Sequence, residues 1–140
     1  MVRILVVDNY ELWPRFVILA LAGRPDVEIV GEVQTGLAAI QMATELQPDV
    51  VVLDIGLPDL GGIEAARQIL KLAPKTKILF LTQNTSEDFV HVAMDAGAHG
   101  YVVKASAAQD FLPALEAVLL GNRFVSPSAI DPSGKRREDD

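Results

Sequence analysis

Five short apolar runs punctuate the chain, and each is followed by a stretch whose apolar residues recur at helical spacing. The runs are Ile4-Leu5-Val6-Val7, Val27 to Val33, Val50-Val51-Val52-Leu53, Lys77-Ile78-Leu79-Phe80-Leu81 and Gly100-Tyr101-Val102-Val103. The second alternates in part and reads as an edge strand. Val50–Leu53 holds no polar position at all and reads as buried on both faces, the habit of a strand inside a parallel sheet. Between the runs the pattern predicts helices over about Tyr10–Ala22, Gly36–Leu46, Ile63–Leu72 and Glu87–Asp95. The first carries Trp13, Phe16, Val17, Ala20 and Leu21 on one stripe, with Pro14 in its first turn and Gly23 and Pro25 beyond its end. Ser86 is the expected cap of the fourth helix, and Gly97 closes it. Ser106-Ala107-Ala108-Gln109 spells a capping box ahead of a fifth helix carrying Phe111, Leu115, Val118 and Leu119. Pro113 then requires either a kink or a later start, with Asp110 as cap.

Strands alternating with helices through short connections predict an α/β fold, a doubly wound parallel sheet of five strands with five helices. The expected strand order 2-1-3-4-5 puts the switch point between the first and third strands. At 140 residues the chain is read as one domain, residues 1–125. Residues 126–140 hold Pro, Ser, Gly and mixed charge without apolar periodicity, and are expected to be a flexible tail or a truncated linker.

Charge and composition narrow the chemistry. The net charge of −7 argues against nucleic-acid binding by this segment's general surface, which needs Lys and Arg in excess. It suits a domain that gathers cations or meets basic partners. The chain has no cysteine, so disulfides, thiol catalysis and zinc–thiolate sites are excluded. Neither a leader nor a membrane-length apolar run is seen, so a cytoplasmic location is expected.

Four of the runs end on a polar residue: Asp8, Asp54, Thr82 and Lys104. Parallel strands share a direction, so these side chains gather at one edge of the sheet, where open α/β folds bind ligands. Two adjacent carboxylates repel each other, and one ammonium does not fully compensate them. A hard divalent ion fits between them; Mg²⁺ commonly takes one or two carboxylates, waters and a phosphoryl oxygen. Thr82 adds a hydroxyl able to bond a phosphoryl oxygen. A carboxylate held near such a cation is equipped to accept a phosphoryl group.

The segments Val6-Val7-Asp8, Leu53-Asp54-Ile55-Gly56-Leu57-Pro58, Leu81-Thr82 and Tyr101-Val102-Val103-Lys104 resemble a response-regulator receiver domain of two-component signalling, a flavodoxin/CheY-like three-layer sandwich. Lys104-Ala105-Ser106 and the stretch from Leu120 to Pro127 further resemble the NarL/LuxR-type subgroup. The resemblance implies that Asp54 is the phosphoacceptor and that Asp8 belongs to the acidic pair. It implies the Gly56 carbonyl as a third Mg²⁺ ligand, Thr82 as the switch hydroxyl, Lys104 as the phosphate-binding lysine and Tyr101 as an aromatic that turns inward on activation. It also implies a sensor histidine kinase as partner, a possible homodimer, and transcription as output through a helix-turn-helix domain not present in this chain. By this reading the protein is not an enzyme beyond its own phosphotransfer and dephosphorylation, and it meets no membrane.

Three departures stand out. Asn9 replaces the second acid of the pair; its amide oxygen can still coordinate, with one negative charge fewer. Gly61 stands where an Asp is common, and no DNA-binding domain follows. Asn9 motivates an alternative reading, a phosphorylation-independent pseudo-receiver acting as an interaction module. An aspartyl phosphatase is disfavoured because Gly56 and Tyr10 stand where a second acid would follow two residues after Asp54 or Asp8. A nucleotide or flavin site is disfavoured because Asp8-Asn9-Tyr10-Glu11 is not a Gly-rich phosphate loop. Trp13 and Phe16 read as packing, His91 and His99 as surface or capping groups, and Lys135-Arg136-Arg137 as solvated. Asn84 reads equally as a loop cap or a residue tuning dephosphorylation.

Overall fold

The computed structural model describes residues 1–130. Six parallel strands form one sheet: β1 (Val2–Val7), β2 (Val27–Val33), β3 (Val50–Leu53), β4 (Lys77–Thr82), β5 (Gly100–Val103) and β6 (Phe124–Val125). Their order is β2-β1-β3-β4-β5-β6, so the expected 2-1-3-4-5 core is present and one short strand is added at its edge. The helices are α1 (Leu12–Leu21), α2 (Gly36–Leu46), α3 (Gly62–Leu72), α4 (Glu87–Asp95), α5 (Ala107–Leu119) and α6 (Pro127–Ile130).

The unbroken apolar strands conceal a period of two. Leu5, Val7, Val51, Leu53, Ile78, Phe80, Tyr101 and Val103 face one core, closed by α2, α3 and α4. Ile4, Val6, Val50, Val52, Leu79, Leu81 and Val102 face the other, closed by α1 and α5, with Trp13 and Phe16 packed at its border. Each fully buried Val or Leu contributes about 1.5–3 kcal/mol from removal of apolar surface from water, which is why the central strands tolerate no polar position.

Four local expectations are revised. Ser126 and Ala129 are fully buried, so the fold continues past residue 125 instead of turning into a solvated tail there. Phe124 and Ser126 donate backbone N–H groups to the carbonyls of His99 and Tyr101, which makes β6, and Ser126 Oγ accepts the Val103 N–H at 3.0 Å. The remainder of the expected tail, 131–140, lies outside the described residues. The capping box does not form: Ser106 Oγ takes no helix N–H, and its one proton is shared between Asp110 Oδ2 at 2.8 Å and the Val103 carbonyl at 3.3 Å. Ser106 still holds the cap position, and α5 starts at Ala107 and runs through Pro113, which lies on the helix's exposed side, instead of starting later with Asp110 as cap. Ser86 holds the cap position of α4 without a side-chain bond; Asn84 Oδ1 instead accepts the Ser86 N–H at 2.9 Å.

Candidate functional site

Register sets the site. Val7 pairs with Leu53, Leu53 with Phe80 and Thr82 with Val103, so β1 and β3 end at one level while β4 and β5 run two residues further out at the same edge. The Asp54 N–H donates to the Val7 carbonyl and the Asp8 N–H to that of Val33, which fixes the two carboxylates side by side just beyond the sheet. Asp8 is 4% exposed and Asp54 8%. Lys104, at the start of the 3₁₀ turn after β5, reaches back across the edge. Its Nζ lies 2.9 Å from Asp8 Oδ2 and 3.7 Å from Asp54 Oδ2, so the ammonium belongs first to Asp8 and only secondarily to Asp54.

That geometry explains the acidity of Asp54. Burial pushes its carboxyl above the ordinary range, Lys104 opposes the shift, and Asp8 reinforces it. The neighbouring N–H groups of Gly56 and Ile55 favour the anion, to a smaller degree. Asp8 Oδ1 accepts the Tyr10 N–H at 2.9 Å, which ties the carboxylate to the loop leading into α1.

The loop behind Asp54 is held by glycine. The Gly62 N–H donates to the Ile55 carbonyl at 2.7 Å, and a Cβ at 62 would lie 2.0 Å from the Asp54 carbonyl oxygen. The start of α3 therefore presses against the backbone that carries Asp54. Gly61 has φ +83 and ψ 144, a conformation that side chains disfavour, which accounts for glycine where the resemblance expects Asp. Asp59, given no role by the sequence pattern, accepts the N–H groups of Gly36 (2.8 Å) and Leu37 (3.0 Å) at the start of α2. Those bonds hold its carboxyl down to about 2.

A cavity of about 490 Å³ opens over the sheet edge, lined by Asn9, Tyr10, Asp54, Gly56, Thr82, Asn84, Phe89 and Lys104 among others. Thr82 is buried; its Oγ1 accepts the Asn84 N–H at 3.2 Å, which leaves the hydroxyl proton for an oxygen in the cavity. Tyr101 is fully buried, and its hydroxyl donates to the Asn84 carbonyl at 2.9 Å. Burial pushes that phenol up to about 12. The ring expected to turn inward on activation is already inside in this structure.

The structure thus brings together Asp8, Asp54, Thr82 and Lys104, with Asn9 and Gly56 on the exposed rim and Tyr101 behind the loop that carries Asn84. His91 and His99 do not line the cavity. Among the described residues no cluster of three or more His, Cys, Asp or Glu side chains is placed to hold a metal. The donors at hand are two carboxylates, the Asn9 amide and the Gly56 carbonyl. All are oxygen, and two carboxylates against one ammonium leave one negative charge unbalanced; that set fits a hard divalent ion that keeps several waters.

Two features escaped the sequence pattern. Trp13, read as packing, lies with its ring 5.1 Å from Lys104 Nζ. Ser126, read as tail, braces the strand that delivers Lys104. Neither carries a local signal, because each contact joins distant parts of the chain.

Comparison with known proteins shows the family. Residues 4–116 match the family model of the response regulator receiver domain. The chain is 34% identical over 127 residues to the response regulator GacA of Pseudomonas aeruginosa, covering 91% of this chain and 59% of GacA. It is also 34% identical over 121 residues to the transcriptional regulatory protein LiaR of Bacillus subtilis, covering 86% of this chain and 57% of LiaR. The chain therefore spans somewhat more than half the length of these curated relatives. A crystal structure of a LuxR-family two-component response regulator from Aurantimonas sp. SI85-9A1 superimposes with a TM-score of 0.85 at 35% identity, covering 91% of each chain.

Proposed function

The chain belongs to the response-regulator receiver family and is of the NarL/LuxR type; from that premise we propose that Asp54 accepts a phosphoryl group from a sensor histidine kinase in a Mg²⁺-dependent reaction. The observation that carries this is the placement of Asp54 beside Asp8 and Lys104, with the Thr82 hydroxyl lining the same cavity. An Asp54 carboxylate oxygen attacks phosphorus, the bond to the donor imidazole nitrogen breaks, and that nitrogen leaves with the bonding electrons. Asp8, Asp54, the Gly56 carbonyl and the Asn9 amide would hold Mg²⁺, which neutralises phosphoryl oxygen charge when bound. Lys104 then exchanges its contact with the Asp54 carboxylate for a phosphoryl oxygen, and Thr82 donates its hydroxyl proton to another.

Moving Thr82 has a route outward. Thr82 holds the Asn84 N–H, the Asn84 carbonyl holds the Tyr101 hydroxyl, and the Tyr101 carbonyl holds the Ser126 N–H. Since α6 packs on α4 and Val125 and Ala129 sit in the same core as Tyr101, the loop before α4 and the C-terminal segment share one packing unit. Capture of phosphate is read out there, and in a longer chain it passes to a DNA-binding output domain. The location is cytoplasmic; no helix among the described residues is long and apolar enough to cross a membrane.

Asn9 favours one other reading, an interaction module that keeps the fold without phosphorylation. Incubation with Mg²⁺ and acetyl phosphate, followed by intact mass, decides between them. One phosphoryl group gained by the wild type and absent from Asp54→Asn is the expected result. No adduct on a folded protein at any Mg²⁺ concentration overturns the phosphoacceptor reading and leaves the interaction module.

A further inference from the structure

Trp13 lies in the first turn of α1, where spacing alone reads it as core packing. Its ring is fixed from behind. It meets Phe16 edge-on at 5.5 Å and 64°, and Phe16 meets Phe111 of α5 at 5.7 Å and 72°. Phe111 is buried, so this aromatic row ties α1 to α5 and leaves the half-buried indole with its ring turned to Lys104. Three groups thus surround the Lys104 ammonium: Asp8 Oδ2 at 2.9 Å, Asp54 Oδ2 at 3.7 Å and the Trp13 ring at 5.1 Å.

Packing alone does not call for a large π face at that place. An ammonium on a four-carbon stem is a mobile charge, and nothing in its own short turn fixes it. The carboxylates draw it from the sheet edge, while the indole quadrupole draws it from the side of α1 without adding a charge that must itself be desolvated. The indole also keeps water off that side of a side chain only 9% exposed, which strengthens both ion pairs.

We propose that Trp13 is a positioning residue of the site, whose indole face holds the Lys104 ammonium over Asp8 and within reach of Asp54. Its consequence for phosphoryl capture rests on the phosphoacceptor reading above; the hold on the ammonium does not. By this account Trp13 sets how readily Lys104 meets a phosphoryl oxygen on Asp54.

Trp13 is the only tryptophan in the sequence, so intrinsic emission reports this contact directly. Lys104→Met is expected to change the emission maximum and intensity while circular dichroism stays native, because the charge over the ring is gone. Acetyl phosphate labelling at fixed Mg²⁺ is expected to be near wild-type in Trp13→Phe, which keeps a π face. It is expected to slow roughly three- to tenfold in Trp13→Leu, which keeps apolar volume only. A packing role leaves no Phe-against-Leu difference in labelling, while the emission of Lys104→Met reports whether the ammonium lies over the ring. Unchanged emission in folded Lys104→Met overturns the proposal, as does Trp13→Leu labelling as fast as Trp13→Phe. Should Trp13→Leu fail to fold, the emission comparison decides. A wild type that takes no phosphoryl group is the separate failure of the phosphoacceptor reading, and the emission comparison then decides the hold on Lys104 by itself.

Discussion

Gly62→Ala is the sharpest perturbation of the site made without touching a functional side chain. A methyl at 62 would lie 2.0 Å from the Asp54 carbonyl oxygen, 2.6 Å from Ile55 Cα and 2.8 Å from the Asp54 carbonyl carbon. A carbon and a carbonyl oxygen settle at roughly 3.3 Å, so the start of α3 and the Asp54 backbone must part by about 1 Å. The Gly62 N–H bond to Ile55, 2.7 Å long, is strained or lost with that movement. Alanine in place of a helical glycine ordinarily gains about 0.5–1 kcal/mol. Forced overpacking costs about 1–3 kcal/mol, and the upper end applies here because all three atoms are backbone and cannot swing aside. The net expectation is a loss of about 2 kcal/mol, read as a fall of about 1 M in the urea midpoint at a slope of about 2 kcal/mol/M. Acetyl phosphate labelling of the folded variant should slow by on the order of a hundredfold, since a misplacement of that size at a reacting group has such effects. Gly23→Ala, where no atom lies within 4 Å of the added methyl, is the control and should stay within about 0.5 kcal/mol of wild type. If Gly62→Ala unfolds where the control does and labels like wild type, α3 does not press on Asp54 and the account of the loop is wrong.

Three further outcomes follow from the same geometry. Because burial raises the Asp54 carboxyl above its ordinary value, the folded state binds that proton more tightly than the unfolded chain does, and the ionised group opposes folding once pH rises through its folded pKa. Asp54→Asn should therefore melt at higher urea than wild type at pH 7, with the advantage shrinking as pH falls into the ordinary carboxylate range; equal midpoints at pH 7 would contradict this. Asp59 has the opposite sign: its carboxyl is held down to about 2, so its contribution is present above the ordinary 3.8 and is lost as pH falls from there through about 2. Asp59→Asn should remove that acid-labile part of the stability profile, seen in urea melts across the same interval. Ser126→Ala takes the acceptor from the buried Val103 N–H and should cost about 1–3 kcal/mol, with faster amide exchange at Val103 and across β6; a thermal midpoint unchanged from wild type would show that the segment after α5 does not brace β5.

Much of this molecule is written locally. The apolar runs and the helical stripes between them are periodic over a few residues, so the β1–β5 order, the helices and the meeting of Asp8, Asp54, Thr82 and Lys104 at one edge follow from pattern and from the rules of parallel crossover. Val27–Val33, Gly36–Leu46 and Gly100–Val103 were legible to the residue. The errors fell where polar side chains choose among partners. Ser106 matched a helix cap by spacing, yet bonds Val103 and Asp110; Ser126 looked solvated by composition, yet closes the edge of β5. What only the tertiary structure decided is which distant segments touch: the indole of Trp13 against Lys104, Asp59 at the start of α2, Gly62 behind Asp54, and Tyr101 already drawn in under the Asn84 carbonyl. Such contacts depend on how helices and loops pack once the sheet exists. A local pattern specifies what each segment is; the distances between segments are set by the shared core that none of them builds alone.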